Sequence, residues 1–323
     1  VRSHTAFLAA AAILAAVSPA WAWTVPGTGI TACYDNVQEI VCPSPGQAFY
    51  GQNGNFPGTP RSYAQTADTV TDQVTGLVWQ KTPDGVARTH SAAATYCADL
   101  DLGGQTDWRL PDQRELATII DHSLNKPAFA APLEGSTGEY WSGAPYLGYA
   151  DAAWYVHFGY GVSEFNGAAE AKYVRCARGA ALAGPSYTVS GEVVSDAATG
   201  RMWERTGSVS AMNWQAALAY CQSSSTGGYT DWRLPDVMEL RTLADYALYD
   251  PAVDVTALVS VGFDTWTSSA VDTYPGLAWH VNFQSGFSAG EDKTASLYAR
   301  CVRIPSSSTQ DPAAQLLLLL QEQ

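Results

Sequence analysis

Charge is in short supply in this chain. Asp, Glu, Lys and Arg make up 15% of its 323 residues, against about a quarter in an ordinary soluble domain. What charge there is leans acidic, with 17 Lys and Arg against 31 Asp and Glu and a formal net charge of −14. That balance excludes nucleic acid and the simple electrostatic capture of any polyanion. Neutral glycans, cationic partners and divalent cations stay open. Histidine is scarce as well, at five residues, and there is no Cys-x-x-Cys pair or Cys/His cluster, which removes zinc and thioredoxin-type chemistry. Long apolar runs are missing too. Ala6 to Val17 is too short to span a bilayer, as are the five leucines from Leu316 to Leu320. Arg2 precedes the first run and Ala20-Trp21-Ala22 follows it in small-x-small form, so residues 1–22 read as a secretory signal peptide. No twin-arginine pair precedes it, and no transmembrane segment is expected in the mature chain.

What the chain does have is a second copy of itself. Thr106 to Leu116 reads TDWRLPDQREL and Thr230 to Leu240 reads TDWRLPDVMEL, an offset of 124 residues. Trp79, Cys97 and Pro127 recur as Trp203, Cys221 and Pro251. After one inserted residue, Trp141, Trp154 and Cys176 recur as Trp266, Trp279 and Cys301. A period of this length is domain-sized. We therefore divide the chain into a signal peptide (1–22), a loop-rich extension (23–61), repeat 1 (62–180), repeat 2 (187–304) and a flexible tail (305–323). Six cysteines in an exported chain suggest disulfides. The repeat selects Cys97–Cys176 and Cys221–Cys301, which leaves Cys33–Cys42 as a local pair. Closing either long loop stabilises by roughly 4–5 kcal/mol in the chain-entropy picture.

Within each repeat, a turn ending in Gly76 or Gly200 leads into a short strand at Leu77 to Trp79 or Arg201 to Trp203. A helix is expected over about Ser91 to Leu100, with its copy over Met212 to Cys221. Asp112 and Asp236 follow Pro and stand three residues before Glu115 and Glu239, the spacing of a capping box, so a second helix starts there. Alternating runs at Tyr140 to Ser142, Ala153 to Phe158 and Lys172 to Arg178, separated by Gly-rich loops, read as antiparallel strands. Each repeat is thus α+β, with two helices and then a small antiparallel sheet.

The sequence of motifs Asp72-x-x-Thr75-Gly76-Leu77-x-Trp79, helix Cys97, Asp107 to Leu116, Tyr140-Trp141-Ser142, Ala153 to Phe158 and Tyr173 to Arg178 resembles the DUF1566, or Lcl C-terminal, domain. That family takes its name from a collagen-like adhesin. The resemblance covers both repeats, and Cys33 to Gln52 is similar to the leader that often precedes such domains. It implies a secreted bacterial protein in the periplasm, at the cell surface or in the medium. It also implies tandem C-type-lectin-like domains and an adhesion or carbohydrate-binding role, since the named adhesin binds sulfated glycosaminoglycans. The chain departs from that pattern in lacking a collagen-like stalk and in being acidic. The family's frequent DNGDGT turn is replaced by Gln65 to Thr69 and Ser190 to Val193, which weakens the case for calcium, and no other cofactor is called for.

Two clusters compete as functional sites. Asp107, Arg109, Asp112 and Glu115, with Asp231, Arg233, Asp236 and Glu239, look like acid–base machinery. Their structural duties are the simpler reading. Trp108 and Trp232 are core residues, Pro111 and Pro235 set turns, the Asp/Glu pairs cap helices, and each Arg pairs with a carboxylate and loop backbone. Gly286 to Gly290 matches Gly-x-Ser-x-Gly but sits between strands, without the strand–turn–helix context of a hydrolase. The remaining candidates are loop aromatics on which a sugar ring could stack: Tyr146, Tyr149, Tyr160, Tyr274 and Phe287. The loops Pro145 to Asp151 and Asp272 to Gly276 are expected to differ in length and aromatic content. The function read from the sequence is an exported, non-catalytic binding or adhesion protein that recognises a glycan or a cell-surface partner. The alternatives are an oxidase of the formylglycine-generating type, which needs reactive cysteines, and a calcium-stiffened structural module.

Overall fold

The computed structural model describes residues 23–259 and 262–305. The signal-peptide reading of 1–22 and the tail from 306 onward lie outside the described residues. The extension carries one hairpin, β1 (Cys33–Tyr34) and β2 (Glu39–Ile40). The Asp35 carboxylate accepts the Val37 and Gln38 amides at its turn (2.7 and 2.8 Å), and the hairpin is closed by Cys33–Cys42. Repeat 1 runs β3 (Tyr63–Gln65), β4 (Thr69–Asp72), β5 (Val78–Gln80), α1 (His90–Ala98), α2 (Gln113–Thr118), β6 (Glu139–Pro145), β7 (Ala152–His157), β8 (Val162–Gly167) and β9 (Ala177–Arg178). Repeat 2 follows the same order: β10 (Tyr187–Ser190), β11 (Val193–Asp196), β12 (Arg201–Glu204), α3 (Trp214–Gln222), α4 (Val237–Leu240), β13 (Asp264–Ala270), β14 (Leu277–Asn282), β15 (Ser288–Asp292) and β16 (Val302–Arg303).

Local chemistry explains the helix starts. The Thr89 hydroxyl accepts the Ala92 amide at the head of α1, and the Asn213 side chain accepts the Ala216 amide at the head of α3. Both helices begin within two residues of the expected positions. Asp112 and Asp236 each complete a reciprocal capping box with Glu115 and Glu239. The expected strand over Lys172 to Arg178 is shorter. Only Ala177 and Arg178 pair with β5, Lys172 and Tyr173 make isolated bridges to Arg88 and Tyr140, and 174–176 pair with no strand. The disulfides Cys97–Cys176 and Cys221–Cys301 tie each long helix to the chain beside the last strand.

The expectation of one small sheet per repeat needs correcting. Each repeat has its own four-stranded sheet, β3-β4-β5-β9 and β10-β11-β12-β16, while the hairpins of both repeats join into one six-stranded sheet in the order β13-β14-β15-β8-β7-β6. The join is Ser163 opposite Ser288, which are the same position of the two copies. Two copies meeting through the same residue define a pseudo-two-fold contact. The packing obeys it. His122 of repeat 1 lies edge-on to Trp279 of repeat 2 at 4.7 Å, and its counterpart Tyr246 lies edge-on to Trp154 at 5.3 Å. One buried core runs through this contact, with Leu116, Ile119 and Ile120 beside Val237, Met238 and Trp279. The extension packs on repeat 2, where the Lys293 ammonium donates to the Asp35 carbonyl (2.7 Å) and sits 4.2 Å over the Trp214 ring. No helix among the described residues is long and apolar enough to cross a membrane.

Candidate functional site

The repeated charged block is fully engaged. Arg109 donates to both Glu115 oxygens (2.5 and 2.6 Å) and reaches the Gly179 carbonyl (3.4 Å). Arg233 holds Glu239 in the same fork (2.6 and 2.7 Å), and Arg201 adds a second guanidinium at 3.1 Å. Asp107 pairs with Arg178 and Asp231 with Arg303. The Trp108 and Trp232 indoles donate to loop carbonyls, and Pro111 and Pro235 accept the Gly143 and Ser268 amides. Burial pushes the Asp236 carboxyl up, and the charge of Glu239 adds to this. Burial would raise Glu239 as well, but Arg233 and Arg201 more than reverse it and hold it low. Paired carboxylates of this kind lock a turn onto a helix, and both repeats carry the same lock. Ser288 of the Gly-x-Ser-x-Gly stretch lies on β15, fully buried. No group of three or more His, Cys, Asp or Glu residues among the described residues could hold a metal ion.

The five loop aromatics separate into three places. Tyr149, Tyr160 and Tyr274 are exposed, and Phe287 is half-buried against His280. Tyr146 is not a surface residue. It is 6% exposed, stacked on Phe165 at 3.6 Å and 3°, edge-on to Trp154 at 5.2 Å and capped by Tyr249 at 5.7 Å. Its expected exposure fails because Gly148 lets the loop fold back on the ring, at a distance where a Cβ would meet the ring at 2.6 Å. The loops also do not differ in length. The Tyr146 amide donates to Ala152 and the Val271 amide to Leu277, six residues on in each case. They differ in content alone, and Tyr149 and Tyr274 are the same position.

Tyr160 and Tyr274, from different repeats, meet around a hollow of about 240 Å³ at the pseudo-two-fold contact. Repeat 1 contributes the stretch from His122 to Lys126, with Tyr160 and Val162. Repeat 2 contributes the stretch from Val271 to Tyr274, with Leu277, Trp279 and Gly290. The floor is the Trp279–His122 pair. The Trp279 indole N–H and both His122 ring nitrogens are buried with no hydrogen-bond partner among the described residues. Burial, with Arg241 and Arg61 nearby, holds the His122 imidazole well below its ordinary range, so it is neutral at pH 7. At the rim, the Lys126 ammonium lies 5.4 Å over the Tyr160 ring, and the Asp272 carboxylate accepts the Tyr34 hydroxyl of the extension. The recess combines aromatic walls with buried, unpartnered polar atoms, features common to small-molecule pockets. Sequence reasoning missed His122, Asn125, Val271, Trp279 and Gly290. Aligning the copies position by position carries their signal, since Tyr146 becomes Val271, Phe165 becomes Gly290 and Tyr249 becomes Asn125.

Duplication, disulfides and the shared sheet define a tandem α+β module whose candidate site lies between its copies. Residues 68–178 and 192–303 each match the Lcl C-terminal domain, and the chain belongs to that family. No curated protein matches it.

Proposed function

We propose that this protein is an exported, non-catalytic binding module that holds part of an extracellular glycan or cell-surface partner in the hollow between its repeats. The observation that carries this reading is the convergence of Tyr160 and Tyr274 over the Trp279–His122 floor. Two further features support it. The charged groups that could do acid–base work are committed to caps and forks in both repeats. All six cysteines are in disulfides, as suits an oxidising compartment, and this favours the binding reading over a cysteine-dependent oxidase. A C-type-lectin-like arrangement of each repeat belongs to the same proposal, supported by the helix-to-last-strand disulfide. The reading requires no cofactor.

The test is binding of the mature, oxidised protein to glycan and surface-protein panels at low and high salt, repeated with Gly290→Phe. Gly290 lines the hollow, and a ring at that position fills it. Binding that persists in salt and is lost in the variant supports the reading. Tight heparin binding that is lost in salt, or binding indifferent to Gly290→Phe, places function elsewhere.

A further inference from the structure

The hollow has a filled twin. Under the pseudo-two-fold relation its floor Trp279 corresponds to Trp154, its rim Tyr274 to Tyr149 and its wall His122 to Tyr246. These walls are kept as flat rings on both sides, and the flanking backbone follows the same course. The Ala128 amide donates to Phe158 and the Ala252 amide to Phe283, while the Tyr146 and Val271 amides close equivalent loops. What changes is the filling. In the twin, Tyr146 lies flat on Phe165 under Tyr249. In the hollow those three positions are Val271, Gly290 and Asn125. Three rings are removed while the frame that holds them is retained.

We infer that the hollow receives the side chain of a tyrosine presented by a partner polypeptide, in the pose that the chain's own Tyr146 shows in the twin. This rests on the hollow being the binding site. The buried Tyr146 ring has Trp154 and Tyr249 edge-on to it, and Ser285 lies near its hydroxyl. Their counterparts Trp279, Asn125 and Tyr160 all line the hollow. A ring entering there finds the same floor, and its hydroxyl finds an amide and a phenol. A pyranose fits less well, because it carries hydroxyls around its whole edge, and each buried one needs a partner. Val162, Val271 and Leu277 offer none, which leaves a buried pyranose only the polar residues of the lining. None of residues 1–22, 260–261 and 306–323 is a tyrosine, so none of these segments supplies the ring. The net charge of −14 further favours a tyrosine set in a neutral or basic segment.

Calorimetric titration of the oxidised full chain with N-acetyl-tyrosinamide tests this, with N-acetyl-leucinamide and methyl β-galactoside as comparators. The expected result is one saturable site for the tyrosine probe, with the leucine probe at least about tenfold weaker. The graft N125Y/V271Y/G290F, which copies the twin's filling into the hollow, should abolish that site while the protein keeps its wild-type melting. If the graft does not fold, Gly290→Phe alone serves, with an expected loss of about tenfold or more. Leucine binding as tightly as tyrosine overturns the inference. A galactoside that binds in place of tyrosine and is lost on grafting also overturns it, yet leaves the hollow standing as a site. No probe of any kind displaced by the graft overturns the inference and the reading of the hollow together.

Discussion

The two sides of the inter-repeat contact share one frame and differ in what stands inside it. On one side, Tyr146, Phe165 and Tyr249 complete an aromatic core. On the other, Val271, Gly290 and Asn125 leave a hollow floored by Trp279. A duplicated domain keeps the residues that carry its fold and is free to change those that only fill space. The difference also shows that the conspicuous motif and the candidate site are separate things. DWRLPD is identical in both copies because both need the same lock, while the site arises where the copies disagree.

The comparison can be sharpened first at the disulfides, where the copies should behave alike. Replacing Cys97 and Cys176, or Cys221 and Cys301, with alanine opens loops of 79 and 80 residues, and each should cost about 4–5 kcal/mol by loop entropy. Opening the 9-residue Cys33–Cys42 loop should cost about 2–3 kcal/mol on the same scale. Urea denaturation of the three double variants gives the order, and equal costs would show that loop closure is not what the bridges supply.

The carboxylate locks should then behave differently. Glu239→Gln strands two buried guanidiniums, Arg201 and Arg233, and should cost about 3–5 kcal/mol. Glu115→Gln strands only Arg109, whose side chain is 34% exposed, so its cost should be clearly smaller. Matching losses in thermal melts of the two variants would break the asymmetry.

The aromatic positions come next. Tyr146→Ala empties a packed site and should cost about 3 kcal/mol. Tyr274→Ala removes a ring that is 59% exposed and should shift stability by less than about 0.5 kcal/mol. If the ring inference holds, the Tyr274 variant should weaken binding of the tyrosine probe instead. A Tyr146→Ala protein that melts normally would show that the twin is not packed as described.

The last comparison is a pH dependence. Burial depresses the His122 imidazole below its ordinary 6.5, so the unfolded chain takes up the proton first. The contribution to stability is therefore present above about pH 6.5 and is lost as pH falls below it, by at most about 1.4 kcal/mol per pH unit. His122→Tyr installs the residue found in the twin at Tyr246, and should flatten the difference between melts at pH 7 and pH 5. An unchanged slope would mean that His122 is solvated.

Much of the frame is legible in the chain as written. Caps at Asp112 and Asp236 and disulfides chosen by repeat symmetry depend on neighbours in sequence or on the register of the copies, and both can be read in one dimension. The burial of Tyr146 is not legible. Its loop has the Gly-rich composition of an exposed turn, and only the fold-back at Gly148 and the facing rings Phe165 and Tyr249 take it inside. Tyr160 and Tyr274 could each be named as exposed rings, but nothing local says that they share one recess.

By itself, the sequence determined that this protein is two copies of one disulfide-bonded α+β module, because periodicity, capping and cysteine pairing act through chain order. The tertiary structure alone decided that the copies meet edge to edge at Ser163 and Ser288. That pairing sets His122 of one copy against Trp279 of the other. Contacts between residues more than a hundred positions apart depend on how finished surfaces fit, so the hollow exists only once both repeats have folded and packed.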